Sequence, residues 1–530
     1  MSQLPAYTSI EEGPPPEYDI DYKYSFETPE KPKQAEEFEE AFAIETPRYN
    51  DTLFTWLFIG SIAGLVLLTV NSWHVIANSN FNSNSVAEDT SFTMAKISKG
   101  ILALYKLIAI STLTPLALSV GVLSLANISP FVFVVLGYLL FPLSMLAVSA
   151  FSLVMGQILP ALLFGFMGVL MLFFMFNNKK RFSYSALLLT QTIAAMRAYP
   201  STIIVSILSG ITSALASILY LSSFSVIAMA RSITDDASCP RSEGNDVCVS
   251  NSTMLITIYV VFVGYFLFEV IKNITHVTLS GIFGTWFFFG EVPSTSKPRN
   301  PALGAFKRAT TYCFGSICFG SLIVSFVSTL HTCLTLIRAK LNSLLDFNNP
   351  GNDALICFAL IIVRLLEWFA QELEYWTKWF NRFAYTYLAF YGKGYLQSAK
   401  DTFEIMKFKG IDLLITDSLI GSALGLYSLL VVLGTAATIW ISAKATGLLE
   451  FMGYEMIAMA FVGSFLVAWF ITSTVVDVLD VGSVCLMVGL AIEPDRFAAV
   501  EGRQAVWNEL CRLTPEFSKR ATRPWSSAFV

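Results

Sequence analysis

Apolar runs long enough to cross a lipid bilayer recur along the whole chain, separated by shorter polar segments. About 20 consecutive apolar residues are enough for one helix to span the hydrocarbon layer. The pattern therefore predicts an all-α polytopic membrane protein with about ten transmembrane helices, in which the apolar stretch of the sixth span extends to Phe289. The predicted spans are 53–75, 103–126, 130–151, 154–176, 201–230, 253–276, 309–335, 353–371, 418–443 and 454–480.

The composition agrees with this pattern and excludes a soluble globular protein. Of the 530 residues, 55% are hydrophobic and 14% are charged, whereas soluble domains carry about 25% charged residues. The chain also contains 44 phenylalanines, many more than a surface facing water accommodates. Its net charge of −5 says little, because sidedness in the membrane depends on where Lys and Arg lie.

The basic residues predict the orientation of the ten spans, because cytoplasmic loops carry an excess of Lys and Arg. With both termini in the cytosol, 24 basic residues lie on the cytosolic side and 7 on the opposite side. The reverse orientation fits this distribution badly. We therefore predict cytosolic N- and C-termini, a transmembrane domain over residues 51–490 and a cytosolic C-terminal tail over 491–530.

Residues 1–50 have the composition of a disordered cytosolic tail that is acidic and rich in proline. Within it, Pro15, Pro16 and Tyr18 form a P-P-x-Y motif. WW domains bind this pattern because the prolines preset the polyproline II conformation. The motif predicts a WW-domain ubiquitin ligase as partner; the alternative is a solvated acidic tail without one.

The loop before the sixth span has features of an extracytosolic environment. Cys239 and Cys248 predict a disulfide in an oxidising compartment, with two free thiols as the alternative. Asn251 begins an Asn-Ser-Thr sequon and is a predicted glycosylation site. The proximity of Asn251 to the bilayer weakens this second prediction.

Residues 372–417 mix aromatic and cationic side chains at helical spacing. The pattern predicts a cytosolic amphipathic segment of one or two helices that lies along the inner membrane surface. In that position Lys393, Lys400, Lys407 and Lys409 would face lipid phosphates, and the segment would support the helical bundle.

The sixth span concentrates polar side chains that are costly in lipid. Tyr265, Glu269, Lys272 and His276 follow spacings of 4, 3 and 4, and Asn273 borders them. These positions share one helix face, and a polar face inside a membrane is directed to a bundle interior or a watery cavity. We predict an i,i+3 ion pair between Glu269 and Lys272. The face either lines a substrate path or holds the helices together.

The seventh span carries small residues on one face. Ala309, Cys313, Ser316 and Gly320 are spaced 4, 3 and 4, and small side chains allow another helix to approach closely. We predict a helix-packing face here, either static or one along which a neighbouring helix slides. We further expect it to meet the polar face of the sixth span and so to form a central path.

Four segments resemble the choline transporter-like proteins, solute carrier family 44, and within them the fungal pH-nine-sensitive branch. They are VIKNITHVTLSGIFGTWFF at 270–288, KRATTYCFGSICFGSL at 307–322, FNRFAYTYLAFYGK at 380–393 and YGKGYLQSAKDTF at 391–403. The resemblance covers about residues 50 to 490. It implies a ten-span plasma-membrane protein with cytosolic termini, the topology that the basic residues also predict. Animal members move choline and similar quaternary amines.

A choline-like solute suits the polar residues of the spans. A quaternary ammonium has no N–H to donate, so a site must bind it with aromatic faces and nearby negative charge. The candidates are Tyr265, Tyr312, Trp368 and Glu269. We expect uniport driven by the membrane potential, with no cofactor, no metal and no nucleic-acid partner; the three histidines, His74, His276 and His331, lie on separate spans.

Two other classes of function stay open at this point. A non-transporting scaffold or regulator of membrane composition would act through the tail and its P-P-x-Y motif. A lipid-modifying membrane enzyme would use His276 and Asn273 as a catalytic pair, but the chain offers no other nucleophile or metal site. A transporter, and not an enzyme, is the main prediction.

Overall fold

The computed structural model describes residues 42, 48–78, 90–177, 179–238, 251–290, 298–343, 350–445, 454–500 and 502–513. In these residues all regular secondary structure is helical. The helices are α1 (Thr52–Asn78), α2 (Thr90–Ile128), α3 (Pro130–Val154), α4 (Ile158–Asn177), α5 (Lys179–Ala198), α6 (Ser201–Ser238), α7 (Asn251–Phe289), α8 (Pro301–Thr310), α9 (Phe314–Ser343), α10 (Pro350–Tyr391), α11 (Tyr395–Ala445), α12 (Tyr454–Ile492), α13 (Pro494–Ala499) and α14 (Gln504–Leu513).

The architecture is that of a multi-pass membrane protein, as the hydropathy pattern predicts. Eight helices in the described ranges are long and apolar enough to span a bilayer, and they correspond to eight of the ten predicted spans. The predicted fourth span is a shorter apolar helix, Ile158–Phe173. The predicted eighth span lies within α10, whose sequence is more polar. The number ten therefore stays a prediction, while the extension of the sixth span to Phe289 is confirmed.

The seventh span begins later than predicted, because the chain turns between α8 and α9. Helix α8 ends at Thr310, residues 311–313 form turns, and α9 starts at Phe314. The spanning part of α9 is Phe314–Asn342. Ala309 and Cys313 therefore lie outside the helix that carries Ser316 and Gly320, which corrects the prediction of one continuous face.

The structure of residues 372–417 also differs from the prediction of separate surface helices. Residues 372–391 continue α10, and 395–417 begin α11. Phe383, Tyr385 and Phe390 are at most 1% exposed, and they pack within the cores of the bundle. Aromatic side chains at this density bury too much apolar area to remain at a lipid surface. The cytosolic location of the segment stays a prediction.

Helices α7 and α12 lie at the centre of the bundle. In an 18-residue apolar window of α12, 89% of the residues are buried, compared with 11% in the corresponding window of α1 at the periphery. The segment before α1 and the segment before α14 contact the same end of this bundle. Arg503, which precedes α14, donates to the carbonyls of Trp286 and Phe287 near the end of α7. Asn50, which precedes α1, donates to the carbonyl of Gly392 between α10 and α11.

Candidate functional site

A cavity of about 560 Å³ lies in the interior of the bundle, between α6, α7, α9, α10, α11 and α12. Ligand sites for small molecules have volumes of roughly 300 to 1,000 Å³. The charged and aromatic side chains of its wall are Tyr265, Phe268, Glu269, Lys272, Tyr375, Lys378, Trp379, Arg382, Trp469, Phe470, Asp477 and Asp480. On the α11 side, Gly421 and Gly425 line the cavity, and a Cβ at either glycine would have no neighbour within 4 Å.

One wall of the cavity carries two ion pairs between α12 and its neighbours. Lys272 Nζ of α7 lies 3.3 Å from Asp477 Oδ2, and Arg382 Nη1 of α10 donates to Asp480 Oδ2 over 2.7 Å. The two aspartates are three residues apart, which places them on one face of α12. Each carboxylate compensates the charge of one cation inside the bundle, where lipid offers no such partner.

A second group of charges joins α7, α9 and α10. Lys378 Nζ lies 3.5 Å from Glu269 Oε1 and 2.7 Å from Glu374 Oε1. Glu374 also lies 3.2 Å from His331 Nδ1 and accepts a hydrogen bond from Ser328 Oγ over 2.7 Å. One ammonium group is therefore shared between two carboxylates.

These contacts correct the predicted ion pair within the sixth span. Glu269 pairs with Lys378 of α10, and Lys272 pairs with Asp477 of α12. Two residues on one helix face can meet each other or the helices packed against that face. Here the neighbouring helices present opposite charges, so both pairs form between helices.

The polar face of α7 is divided between the cavity and a packed interior. The Tyr265 hydroxyl lies 3.0 Å from the Thr332 hydroxyl of α9, and Asn273 Nδ2 donates to Ser321 Oγ over 2.9 Å. His276 is 4% exposed. It lies beyond the cavity, with Nε2 3.0 Å from the Arg382 carbonyl and 3.1 Å from Thr386 Oγ1.

This division bears on the enzyme alternative. The amide of Asn273 bonds to α9, whereas the ring of His276 bonds to α10. A catalytic pair requires the two groups to reach a common reacting atom. Their separate partners and the burial of His276 do not support that geometry.

Two predicted site residues lie away from the cavity. Tyr312 lies in the turn between α8 and α9, and its ring centroid is 5.1 Å from that of Tyr49. Trp368 on α10 is 61% exposed and is absent from the cavity wall. Of the four aromatic and acidic candidates for cation binding, Tyr265 and Glu269 line the cavity.

The small residues of the predicted packing face are all buried, but they contact different neighbours. Ala309 and Cys313 pack in a core with α10. Ser316 Oγ donates to Asp51 Oδ2 over 2.6 Å. At Gly320, a Cβ would lie 2.2 Å from the Tyr385 hydroxyl, so only glycine permits this approach of α9 to α10. The polar face of α7 meets α9 at Ser321, the residue after Gly320.

Several residues of the cavity wall escaped the sequence analysis. Asp477 and Asp480 stand in the run VVDVLD near the end of the tenth span, and charges three residues apart in an apolar run are a usable signal. Lys378 and Arg382 are four residues apart, but their aromatic neighbours favoured an interpretation as a membrane surface. Trp379 and Trp469 carried no signal beyond their size.

Some predicted sites lie at or beyond the limits of the described structure. Pro15, Pro16 and Tyr18 of the tail motif, and Cys239 and Cys248 of the predicted disulfide, lie outside the described residues. Asn251, the predicted glycosylation site, is the first residue of α7. These predictions stay open.

The sequence of the chain matches a known family over most of its helical domain. The model of the family described as plasma-membrane choline transporter matches residues 162–495. This range includes α7, α9, α10, α11 and α12, which contribute all but one of the residues of the cavity wall.

Curated fungal relatives match nearly the whole chain. Protein PNS1 of Debaryomyces hansenii is 31% identical over 93% of this chain and 92% of the relative. Protein PNS1 of Candida albicans is 30% identical over 95% and 94%, respectively. Protein PNS1 of Saccharomyces cerevisiae is 29% identical over 87% of this chain and 83% of the relative. The resemblance drawn from the four segments is confirmed.

Proposed function

The chain belongs to the plasma-membrane choline transporter family, and we propose that it carries choline or a similar quaternary amine across the plasma membrane. The proposed mode is uniport driven by the membrane potential. The observation that carries the proposal is the interior cavity of about 560 Å³, which combines carboxylates with aromatic side chains.

The wall of the cavity carries carboxylates that a cationic solute can approach. Its three carboxylates, Glu269, Asp477 and Asp480, are paired with three cations, Lys272, Lys378 and Arg382. Charge removed from water is stable only when it is compensated, so a cationic solute in the cavity can take the place of one of these cations beside a carboxylate.

The aromatic side chains favour a cation without hydrogen-bond donors. A quaternary ammonium is attracted to ring faces within about 6 Å of the centroid. Trp379 and Trp469 line the cavity together with Tyr265, Tyr375, Phe268 and Phe470. Phe268 and Phe470 stack with centroids 4.2 Å apart, which gives the wall between α7 and α12 a rigid apolar surface.

The membrane potential supplies enough energy for a uniporter. Moving one positive charge inward gains about 2.3 kcal/mol per 100 mV, which corresponds to roughly fortyfold accumulation. The proposed orientation has both termini in the cytosol, in agreement with the distribution of basic residues. It also places the P-P-x-Y motif where a WW-domain ubiquitin ligase would bind it.

Uptake of radiolabelled choline into proteoliposomes, with an imposed inside-negative potential, tests this proposal. We expect uptake that rises with the potential in the wild type. Glu269→Gln should reduce the initial rate at least about tenfold, the factor that corresponds to 1.4 kcal/mol, because it removes a cavity carboxylate.

The matched control is Glu367→Gln on α10, the helix that also carries Lys378, the partner of Glu269. Glu367 pairs with Arg338 at 2.8 Å and is 13% exposed, whereas Glu269 is 16% exposed. Glu367 is not part of the cavity wall, so its variant should retain uptake. Absence of choline uptake by a monodisperse wild type, or an equal loss in both variants, would contradict the proposal.

A further inference from the structure

The cavity is closed at the end of the bundle where the described terminal segments lie. Beyond Arg382 and Asp480, the next turns of the central helices are packed without exposure. Tyr385 and Leu388 of α10, Phe287 of α7 and Val484 of α12 are 0% exposed. A solute in the cavity cannot pass this layer unless the helices separate there.

Residues 49–51 lie on the outside of this packed layer and connect three parts of it. Asn50 N–H donates to the Tyr312 carbonyl between α8 and α9 over 3.2 Å, and Asn50 Nδ2 donates to the Gly392 carbonyl between α10 and α11 over 3.2 Å. The rings of Tyr49 and Tyr312 are in contact. We call residues 49–51 the clasp.

Asp51 makes the strongest contacts of the clasp. Its Oδ2 accepts hydrogen bonds from Ser316 Oγ over 2.6 Å and from the Tyr395 backbone N–H over 3.1 Å. Hydrogen bonds to an ionised carboxylate are about twice as strong as neutral ones. One side chain thus holds the start of α9 to the start of α11.

The backbone at the clasp is adapted to this contact. Asp51 has φ of 55° and is the only non-glycine residue with positive φ in the described ranges. This left-handed conformation is unfavourable for most L-residues and least so for Asn and Asp. At Gly315 a Cβ would lie 2.3 Å from the Asn50 carbonyl oxygen, so the clasp rests directly on the backbone of α9.

A chain of hydrogen bonds connects the clasp to the cavity wall. Tyr395, whose backbone N–H binds Asp51, donates from its hydroxyl to Asn381 Oδ1 over 2.5 Å. Burial raises the pKa of Tyr395 to about 12, so the hydroxyl keeps its proton at neutral pH. Asn381 lines the cavity and donates to the Gly320 carbonyl over 3.1 Å.

We propose that the clasp is the lock of a gate at this end of the cavity, and that its release from Ser316 and Tyr395 lets α9 and α11 separate. In this role Asp51 stabilises the closed state of the gate. The hydrogen bond from Tyr395 to Asn381 links the gate to the cavity wall, whether the cavity is occupied or empty. The inference rests on the proposed transport function for its purpose, but its geometry can be tested without transport.

The test measures access to Cys313, which lies between α8 and α9 and is 1% exposed. The purified full-length protein is treated with N-ethylmaleimide, and modification of each cysteine is followed by peptide mass spectrometry. Cys511 on α14, which lies outside the predicted spans and is partly exposed, serves as the internal reference in every sample. Modification of Cys313 requires the packed layer to open.

Asp51→Asn keeps a residue that tolerates the left-handed backbone and removes the charge from both hydrogen bonds. We expect the modification rate of Cys313 to rise about tenfold, because both bonds weaken to the strength of neutral ones. Ser316→Ala should also raise it about tenfold, because it removes one of the two hydrogen bonds to the carboxylate. Thr69→Ala is the matched control on α1, since Thr69 bonds within its own helix to the Leu65 carbonyl.

Unchanged modification of Cys313 in both Asp51→Asn and Ser316→Ala would overturn the proposal, and so would an equal rise in the Thr69→Ala control. In parallel, efflux of preloaded radiolabelled choline from proteoliposomes should be faster for Asp51→Asn than for wild type. If the wild type transports no choline while Cys313 modification rises in both Asp51→Asn and Ser316→Ala, the gate stands and the choline proposal fails.

Discussion

Two neighbouring segments of α7 use polar residues differently. In residues 265–273, Glu269 and Lys272 line a cavity and find their partners on other helices. In residues 276–289, Thr278 and Thr285 are 0% exposed and donate to carbonyls four residues earlier in the same helix.

The difference shows what kind of polar residue creates a cavity. A hydroxyl can be satisfied within its own helix, so α7 packs tightly over residues 276–289. A charge must find a partner elsewhere, and the long side chains that bridge two helices also hold those helices apart. Polarity alone therefore does not locate the cavity on α7, where the charged residues Glu269 and Lys272 line it and Thr278 and Thr285 do not.

The largest expected effect comes from enlarging the side chains of the packed region. Ser316 and Gly320 are both buried against neighbouring segments, and a Cβ at position 320 already meets Tyr385 and Tyr395. Introducing Leu at both positions should prevent assembly of the native bundle, because overpacking a filled core is destabilising.

Size-exclusion chromatography and thermal unfolding of the purified double variant check this prediction. A matched control is Gly425→Leu on α11, where a Cβ would meet open space; it should yield folded protein. Normal expression and normal uptake by the Ser316→Leu, Gly320→Leu variant would contradict the difference drawn between the packed region at these residues and the open cavity at Gly425.

A substitution in the cavity wall should disturb folding less than the Leu double variant does, and it should slow transport in a protein that still folds. Asp480→Asn leaves Arg382, which is 25% exposed, without its carboxylate. Breaking a buried pair on one side costs about 3–5 kcal/mol, so the variant should unfold at a lower temperature and show at least tenfold slower uptake.

The double variant Asp480→Asn, Arg382→Gln separates structure from transport, because it leaves no unpaired charge. We expect it to recover most of the lost stability but not the uptake. Recovery of both would mean that this ion pair serves only to hold α10 against α12.

The smallest effect is expected from a segment that belongs to neither region. Deletion of residues 1–41 removes the P-P-x-Y motif and spares Phe42, whose ring lies 5.6 Å from that of Phe289, as well as the clasp. A transporter should keep its rate of uptake per molecule and change only in surface abundance. Loss of uptake at normal surface abundance would instead favour the scaffold function.

Sequence reasoning predicted the polar face of α7 better than its contacts. Tyr265, Glu269, Lys272 and Asn273 line the cavity, and they stand out because their spacing follows the helix period in an apolar run. Of the partners of Glu269 and Lys272, Asp477 was missed and Lys378 was assigned another role. A local pattern states which face of a helix is polar, but not which helix lies opposite it.

The predicted packing face of the seventh span also shows that a local sequence pattern does not determine tertiary contacts. The small residues at 309, 313, 316 and 320 are all buried, as their size suggests. The prediction that they share one helix face was wrong, because the chain turns at 311–313. Nothing in an apolar run of this composition marks that turn. The clasp at Asp51 left no trace in the hydropathy pattern.

The sequence by itself determined that this protein consists of membrane-spanning helices, and it determined its family. Partition of an apolar segment into lipid depends on that segment alone, and its backbone must bond internally as a helix. Only the tertiary structure decided which charges pair, where the cavity lies and which end is closed. Those features arise from contacts between helices far apart in the chain, such as Glu269 with Lys378 and Asp51 with Tyr395.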